Sequence, residues 1–167
     1  LGTLVRTILS QNTTRQNADR AFARLLDRFG GDWSRVRRAP TDQLVDAIAV
    51  AGLAGQKGPR IQNILEQVYE ERGDYSLAFL REREVADAKS YLLDFKGVGP
   101  KTASFTLMYA AEMPLFAMDT HILRICERFG WIDASDSSDR AHAEKLPRIP
   151  GDQHYAAHMV LVRHGRQ

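Results

Sequence analysis

The chain has 167 residues, of which 44% are hydrophobic and 26% are charged, and its formal net charge at pH 7 is +2. These values are typical of a globular protein that buries a core of its own, as one domain or as two small lobes. So small a net charge excludes a global positive field, and any nucleic-acid surface must come from local clusters of basic residues. The single cysteine, Cys126, excludes an internal disulfide and a cysteine-ligated cluster within these residues. The sequence contains no signal peptide and no run of 18 apolar residues, so we expect neither secretion nor membrane insertion.

The first predicted helices come from hydrophobic residues spaced three and four positions apart. One helix is expected over about 2–10, and a second is followed by glycines at 30–31, which are typical of a helix C-terminus. Thr41 is expected to cap a short third helix that closes near Gly52. A fourth helix has the same hydrophobic spacing over 61–68.

The second half of the chain continues the helical pattern. Further helices are expected over about 84–94, 100–112, 122–129, 139–146 and 151–164, with a polar loop over 133–139. The arginines between the second and third helices are expected to form a solvent-exposed face; they are Arg35, Arg37 and Arg38. Nothing alternates with a period of two residues, so we predict an all-α fold with no sheet.

A glycine-rich turn separates two of these predicted helices. Gly97 and Gly99 permit backbone angles that other residues avoid, and Pro100 suits the first position of a new helix. The amides of such a turn and the new helix N-terminus can bind a DNA phosphate, as in a helix-hairpin-helix motif. A plain glycine-proline linker remains the alternative. A nucleotide-binding P-loop is excluded, because Pro100 separates Gly99 from Lys101 and breaks the required Gly-Lys-Ser/Thr step.

Lys101 and Asp119 are the candidate catalytic pair. Lys101 lies in the first turn of a helix, where the positive helix end favours the neutral amine that Schiff-base chemistry needs. Asp119 lies eighteen positions later and is expected to cap the next helix. Its second oxygen could then stabilise a developing oxocarbenium ion or help to deprotonate the attacking group. Taken singly, a phosphate-binding or solvated lysine and a simple helix cap remain the alternatives.

Two segments, 95–103 and 118–124, resemble the endonuclease III branch of the helix-hairpin-helix DNA glycosylases. They read Phe-Lys-Gly-Val-Gly-Pro-Lys-Thr-Ala and Met-Asp-Thr-His-Ile-Leu-Arg, and the separation of the lysine from the aspartate matches that branch. The resemblance also includes 8–13, 52–57 and 164–166, so it covers nearly the whole chain in order.

The resemblance implies a two-lobed helical bundle with a helix-hairpin-helix motif and an interlobe cleft. Its first lobe would comprise six helices over 1–112, with the motif at about 84–112, and its second would comprise 113–167. The implied partner is double-stranded DNA that contains damaged bases or abasic sites. We expect no membrane association, a monomer, and a cytoplasmic location on the nucleoid, assuming a prokaryotic source.

The implied activity is base excision repair by a bifunctional DNA N-glycosylase and AP lyase. Lys101 would displace the damaged base, with oxidised pyrimidines as the expected targets, and Asp119 would assist. The resulting Schiff base would nick the strand by β-elimination. The alternatives are a glycosylase of the same fold for alkylated or mismatched bases, and a helix-hairpin-helix binding module without catalysis.

The resemblance also implies residues that contact DNA. Gln11 or Asn12 would fill the gap left by the flipped base, and Leu53 would enter the helix as an apolar wedge. The other expected DNA contacts are Lys57, Arg60, Lys96, Gly97, Val98, Gly99, His121 and Arg124.

No metal site is expected within these residues. Cys126 lies on an apolar stripe and is expected in the core. His154 and His158 have a spacing that a metal could use, but no third ligand is evident. Relatives often carry a four-cysteine iron–sulfur loop, whose first cysteine would fall shortly after Gln167. A [4Fe–4S] cluster is therefore expected only if the intact chain continues beyond that residue.

Overall fold

The computed structural model describes residues 1–133 and 149–165, and every regular element in these two stretches is helical. The prediction of an all-α fold is confirmed for this part of the chain. None of the helices found in it is both long and apolar enough to cross a membrane. The helices are α1 (Gly2–Ser10), α2 (Arg15–Phe29), α3 (Trp33–Arg38), α4 (Thr41–Ile48), α5 (Ala54–Arg72), α6 (Val85–Leu93), α7 (Pro100–Ala110), α8 (Thr120–Arg128) and α9 (His154–Gly165). Short 3-10 turns occur at Ala49–Ala51, Ala78–Glu82 and Gly151–Gln153.

Contacts between residues divide the chain into two compact units. Unit 1 comprises Leu1–Leu77 and Phe95–Gly97, and unit 2 comprises Ala78–Asp94 and the described chain from Val98 onward. This grouping differs from the expected lobes over 1–112 and 113–167. The difference is that α6 and α7 group with the later part of the chain, in unit 2, rather than with α1 to α5. The lobe boundaries of the repair fold stay a prediction.

Unit 1 is built from amphipathic helices whose apolar faces meet. α1 packs on α2, and α4 packs on α5. The fully buried side chains include Leu4, Ile8, Leu25, Leu44 and Leu65. Gly58 lets α5 approach α4 closely, because a Cβ there would lie 3.0 Å from Val45 Cγ2. The core of unit 1 therefore fixes the loops that follow α1 and precede α5.

Helix ends in unit 1 follow local sequence signals in most places. Gly30 ends α2 with φ +64°, and Gly73 ends α5 with φ +72°, as the glycine positions predict. The expected cap at Thr41 is wrong: Pro40 holds the cap position, and Thr41 is the first residue of α4. The Thr41 hydroxyl instead donates to Gln62 Oε1 at 2.8 Å, so a tertiary contact has replaced the local one.

The arginines of α3 do not all face solvent. Arg37 is held between neighbouring side chains: it donates to Tyr75 Oη at 2.8 Å and to a carboxylate oxygen of Glu66. Its guanidinium also lies 4.2 Å from the centre of the Tyr69 ring. The expected exposed face therefore needs correcting at Arg37, whereas Arg35 and Arg38 are exposed.

Unit 2 has its own apolar core, in which α8 packs against α9. Its buried cluster contains Phe116, Met118, Ile122, Cys126 and Ile132. The prediction that Cys126 belongs to the core is confirmed, and burial raises the pKa of its thiol. The predicted helix over 139–146, and the polar loop beyond Asp133, lie outside the described residues.

Candidate functional site

The turn between α6 and α7 uses the backbone freedom of glycine at Gly97 but not at Gly99, whose φ of −96° is open to other residues. Gly97 has φ +83°, Gly99 is the N-cap of α7, and Pro100 is the first residue of that helix. The side chain of Arg60 lies directly against Gly97, where a Cβ would be 2.1 Å from Arg60 Nε. Position 97 therefore favours glycine for its backbone angle, and a larger residue there would also have to displace the Arg60 side chain. Val98 is buried, so any contact that it makes with a ligand comes from its backbone.

Lys101 is the second residue of α7 and is exposed. Within the described stretches, its amine makes no hydrogen bond or ion pair. Lys96, in the preceding turn, is also exposed and is likewise unpaired in those stretches. Both amines are therefore accessible to an external ligand, and Lys101 lies at the helix end whose amides attract anions.

Asp119 is the N-cap of α8, as predicted. Its Oδ1 atom accepts hydrogen bonds from the backbone amides of His121 at 3.0 Å and Ile122 at 2.8 Å. Its other oxygen, Oδ2, has no hydrogen-bond donor among the residues that the structure describes. One oxygen thus fixes the carboxylate at the helix end, and the other is available for chemistry. Asp119 and Lys101 both belong to unit 2.

Two exposed residues of unit 1 have left-handed backbones without being glycine. Asn12 follows α1 with φ +52°, and Leu53 precedes α5 with φ +51°. Leu53 keeps 48% of its surface exposed although it is apolar. Such a conformation costs about 1–3 kcal/mol and persists only where the surroundings determine it. The combination of strain and exposure marks both positions as candidates for contact with a partner.

Gln11 is held within the protein by its side chain. Its Oε1 accepts from Arg60 Nη1 at 2.8 Å, and its Nε2 donates to the carbonyl of Gly97 at 3.4 Å. This amide therefore ties the end of α1 to α5 and to the glycine turn. Of the two residues proposed as gap-filler, Asn12 is the exposed one. Sequence reasoning did not detect this bracing role of Gln11 and Arg60, since no local pattern reveals a contact across 49 positions.

The expected phosphate contact of Lys57 needs correcting. Only 2% of this residue is exposed, and its ammonium donates to three backbone carbonyls. Burial lowers the pKa of the Lys57 ammonium, and the positive charge of Arg60 acts in the same direction. All three N–H donors of the side chain are used, so none remains for a phosphate.

His121 and Arg124 both contact the end of α9. His121 Nδ1 lies 2.7 Å from the carbonyl oxygen of Gly165, and Arg124 Nη2 donates to the same oxygen at 2.8 Å. These contacts join α8 to α9 within unit 2. Arg124 remains exposed, so its DNA contact stays a prediction, as does that of His121.

No group of three potential metal ligands occurs in residues 1–133 and 149–165. His154 and His158 each contact a backbone carbonyl, those of Ile149 and Ala117 respectively. A [4Fe–4S] cluster needs four thiolates, whereas the one cysteine of this sequence is buried among apolar side chains. These residues alone therefore do not fit such a cluster.

Comparison with known proteins identifies the family. Residues 5–149 match the family model described as HhH-GPD superfamily base excision DNA repair protein. The chain therefore belongs to the HhH-GPD superfamily, named for its helix-hairpin-helix motif. Within it, the chain is similar to the endonuclease III of Sulfolobus acidocaldarius, with 31% identity over 99% of this chain and 72% of that protein. The endonuclease III of Thermotoga maritima is 30% identical over 98% of this chain and 72% of its own length.

A third relative is longer. A candidate DNA glycosylase of Arabidopsis thaliana is 37% identical over 98% of this chain, which spans 55% of that relative's length. Among solved structures, a non-covalent endonuclease III–DNA complex matches with a TM-score of 0.86 and 23% identity, over 98% of this chain and 72% of that one. An H. pylori 3-methyladenine DNA glycosylase bound to 1,N6-ethenoadenine matches with a TM-score of 0.80 and 20% identity, over 99% of this chain and 84% of that one. At these identities the two structures show a shared fold.

Proposed function

We propose that this chain is a bifunctional DNA N-glycosylase and AP lyase that uses Lys101 as its nucleophile. The observation that carries the proposal is the presence of two prepared groups in unit 2. Lys101 presents an accessible amine at the start of α7, and Asp119 presents one uncommitted oxygen at the start of α8. A helix-hairpin-helix module that only binds DNA has no need for a carboxylate with an uncommitted oxygen at this position. Membership of a base excision repair family supports the same conclusion.

The proposed reaction proceeds in two stages. Neutral Lys101 Nζ attacks C1′ of the damaged nucleotide, the bond from C1′ to the base breaks, and the base leaves with the electron pair and takes up a proton. Oδ2 of Asp119 accepts the proton released by the amine and stabilises positive charge that develops on the sugar. Opening of the sugar ring then gives a Schiff base between Nζ and C1′. This makes the C2′ proton acidic, and its loss expels the 3′ phosphate and nicks the strand.

DNA binding in this proposal uses the glycine turn and the two strained loops. The amides at Gly97, Gly99 and the start of α7 would hold a backbone phosphate near the lesion. Asn12 would fill the space of the flipped nucleotide, and Leu53 would separate neighbouring base steps. Extrusion costs a few kcal/mol and costs least for a damaged base, which provides part of the selectivity.

Oxidised pyrimidines are the proposed substrates, because the two curated relatives named endonuclease III are similar over nearly the whole of this chain. We expect the protein to act as a monomer on chromosomal DNA. A panel of duplexes carrying an oxidised pyrimidine, an alkylated purine, a mismatch or an abasic site tests the substrate class. Faster release of an alkylated or mismatched base than of the oxidised pyrimidine would contradict this assignment while leaving the glycosylase activity in place.

The decisive experiment is borohydride trapping on abasic-site DNA. We expect a covalent protein–DNA adduct from the wild type and none from Lys101→Ala. Lys89→Ala is the matched control, because it removes a lysine of the neighbouring helix α6 for which no DNA contact is proposed, and it should still form the adduct. The absence of an adduct from folded wild-type protein would reject the lyase chemistry, and base release measured in parallel would then separate a simple glycosylase from a DNA-binding module.

A further inference from the structure

Lys57 makes an unusual set of contacts for a lysine. Its Nζ donates to the carbonyl of Leu9 at 2.8 Å, to that of Gln11 at 2.6 Å and to that of Ala51 at 3.0 Å. An ammonium group has three N–H donors, so this one is saturated by backbone oxygens alone. The side chain is almost fully buried, at 2% exposure. A buried charge is retained in a fold only when its partners compensate for lost hydration, as these three carbonyls do.

The three carbonyls belong to two connections, one at the end of α1 and one just before α5. Leu9 is in the last turn of α1, Gln11 follows that helix, and Ala51 ends the 3-10 turn Ala49–Ala51. Carbonyls at helix ends lack partners within the helix, and the negative end of the helix dipole attracts a cation. Lys57 is supplied by a third element, α5, and therefore fastens two separate loops to one charged group.

Each of these loops carries one of the strained residues directly beyond the carbonyl that Lys57 holds. Asn12 comes one position after Gln11, and Leu53 comes two positions after Ala51. Both have left-handed backbones and exposed side chains. Such conformations need surroundings that impose them, and fixed carbonyls on the adjoining residues impose them.

We propose that Lys57 is a positioning residue that holds Asn12 and Leu53 in fixed register so that both can enter the DNA helix together. The inference rests on the proposed function, since it assigns those two residues to the probing of DNA. Lys57 itself does not touch the substrate. Its effect is confined to the step in which a stacked nucleotide is displaced.

This role differs from simple stabilisation in what it predicts for two substrates. A lesion that is still paired must be extruded, which requires both probing residues. An abasic site has no base to unstack and requires them less. Loss of the Lys57 contacts should therefore impair base release from a paired lesion much more than nicking of an abasic site, whereas general destabilisation should affect both alike.

The test compares Lys57→Met with Val68→Ala. Methionine keeps most of the length of the side chain but removes its donors. Val68 is a fully buried residue of the same helix, eleven positions after Lys57. Both variants are assayed well below their thermal midpoints, under single-turnover conditions. We expect base release by Lys57→Met to fall about 10- to 100-fold relative to Val68→Ala, since small misplacements have effects of that order. Nicking of abasic-site DNA should change less than about 3-fold, because little extrusion is needed there.

Amide hydrogen exchange gives a second readout that does not depend on activity. Faster exchange in segments 11–13 and 51–54 of Lys57→Met, but not of Val68→Ala, is the expected result. Should Lys57→Met fail to fold, Lys57→Arg keeps the charge while changing the donor geometry. We then expect a smaller loss of base release from the paired lesion, again larger than the loss of nicking at the abasic site. An equal loss on both substrates, or unchanged exchange in both segments, would overturn the positioning role alone. A folded wild type without base release or nicking would overturn the proposed function and this inference together.

Discussion

At the scale of single residues, Asp119 combines an observed structural task with a proposed chemical one. One of its oxygens accepts two amides at the start of α8, and the other carries the proposed catalytic role. The two tasks can be separated by substitution, because asparagine caps helices as well as aspartate does but does not carry the negative charge.

We therefore predict different outcomes for Asp119→Asn and Asp119→Ala. Asp119→Asn should keep the wild-type free energy of unfolding and lose about 10²- to 10⁴-fold in base release, the usual range for an acid–base group. Asp119→Ala should lose the same activity and, in addition, about 1 kcal/mol of stability through loss of the cap. Urea unfolding and single-turnover kinetics measure the two effects. Full activity in a folded Asp119→Asn variant would remove Asp119 from the mechanism.

Cys126 allows a prediction about pH. Burial raises the pKa of its thiol above the ordinary value, so the folded protein keeps this proton at a pH where the unfolded chain has lost it. The stability that this provides is complete below the unfolded pKa of about 8.5 and is lost as the pH rises through the folded pKa. The free energy of unfolding of the wild type should thus fall more steeply between neutral and strongly alkaline pH than that of Cys126→Ala. Parallel pH profiles for the two proteins would show that the thiol does not contribute.

Lysine side chains illustrate how far sequence reasoning reaches at this scale. Lys96, in the turn before α7, and Lys101, in the first turn of α7, are both exposed. Lys57 looks equally available in the sequence, yet it is buried beneath carbonyls from residues that are 48 and 46 positions away. Local charge and spacing describe a side chain well only when its partners are also local.

At the scale of elements, two separate features favour glycine at position 97 in the turn before α7. Its φ is positive, and the side chain of Arg60 lies against it. Gly73 provides a matched comparison, because it has φ +72° at the end of α5 and no atom within 4 Å of an added Cβ. Replacing either glycine would therefore strain the backbone, but only a substitution at Gly97 would also displace a neighbouring side chain.

We predict that Gly73→Ala lowers the free energy of unfolding by about 1–2 kcal/mol, the cost of a left-handed residue with a Cβ, and that Gly97→Ala lowers it by at least as much. Only Gly97→Ala should also weaken binding to abasic-site DNA, since it would move Arg60 and the amides proposed to bind a phosphate. Fluorescence anisotropy with a labelled duplex provides the comparison. An equal loss of affinity in both variants would mean that the turn has no special role in binding.

The helices themselves were largely predictable, and the exceptions have a common cause. α2 and α5 end at the glycines that the sequence indicated, and Pro100 begins α7. By contrast, α3 was not predicted, because three of its six residues are arginines and no hydrophobic repeat is visible. Asp32 caps this helix, and Arg37 contacts Glu66 of α5 and Tyr75; such tertiary contacts leave no periodic signal.

At the scale of the whole molecule, the net charge of +2 is too small to attract DNA strongly by itself, so the attraction must come from particular basic residues. Each phosphate neutralised by a protein cation releases counterions and adds to the slope of log affinity against log salt concentration. Exposed arginines that do not contact DNA contribute to the net charge but not to that slope. The number and identity of real contacts can therefore be measured with substitutions of equal charge.

We predict that Lys96→Gln lowers the magnitude of this salt slope by about 1, the value for one phosphate contact. Arg28→Gln, which removes the same charge from an exposed position on α2, should leave the slope unchanged. Titrations of undamaged duplex between low and moderate salt provide the measurement. Identical slopes for Lys96→Gln and the wild type would exclude Lys96 from the interface.

Leu53 has a consequence for attempts to make this protein more robust. An apolar side chain that is nearly half exposed, on a left-handed backbone, is the kind of position that a thermostabilisation screen would choose first for replacement by glycine or a polar residue. If Leu53 is the wedge that opens the duplex, a screen guided by melting temperature alone would yield hardier proteins that can no longer find lesions. Engineering of this scaffold should therefore select for repair and heat resistance in the same round.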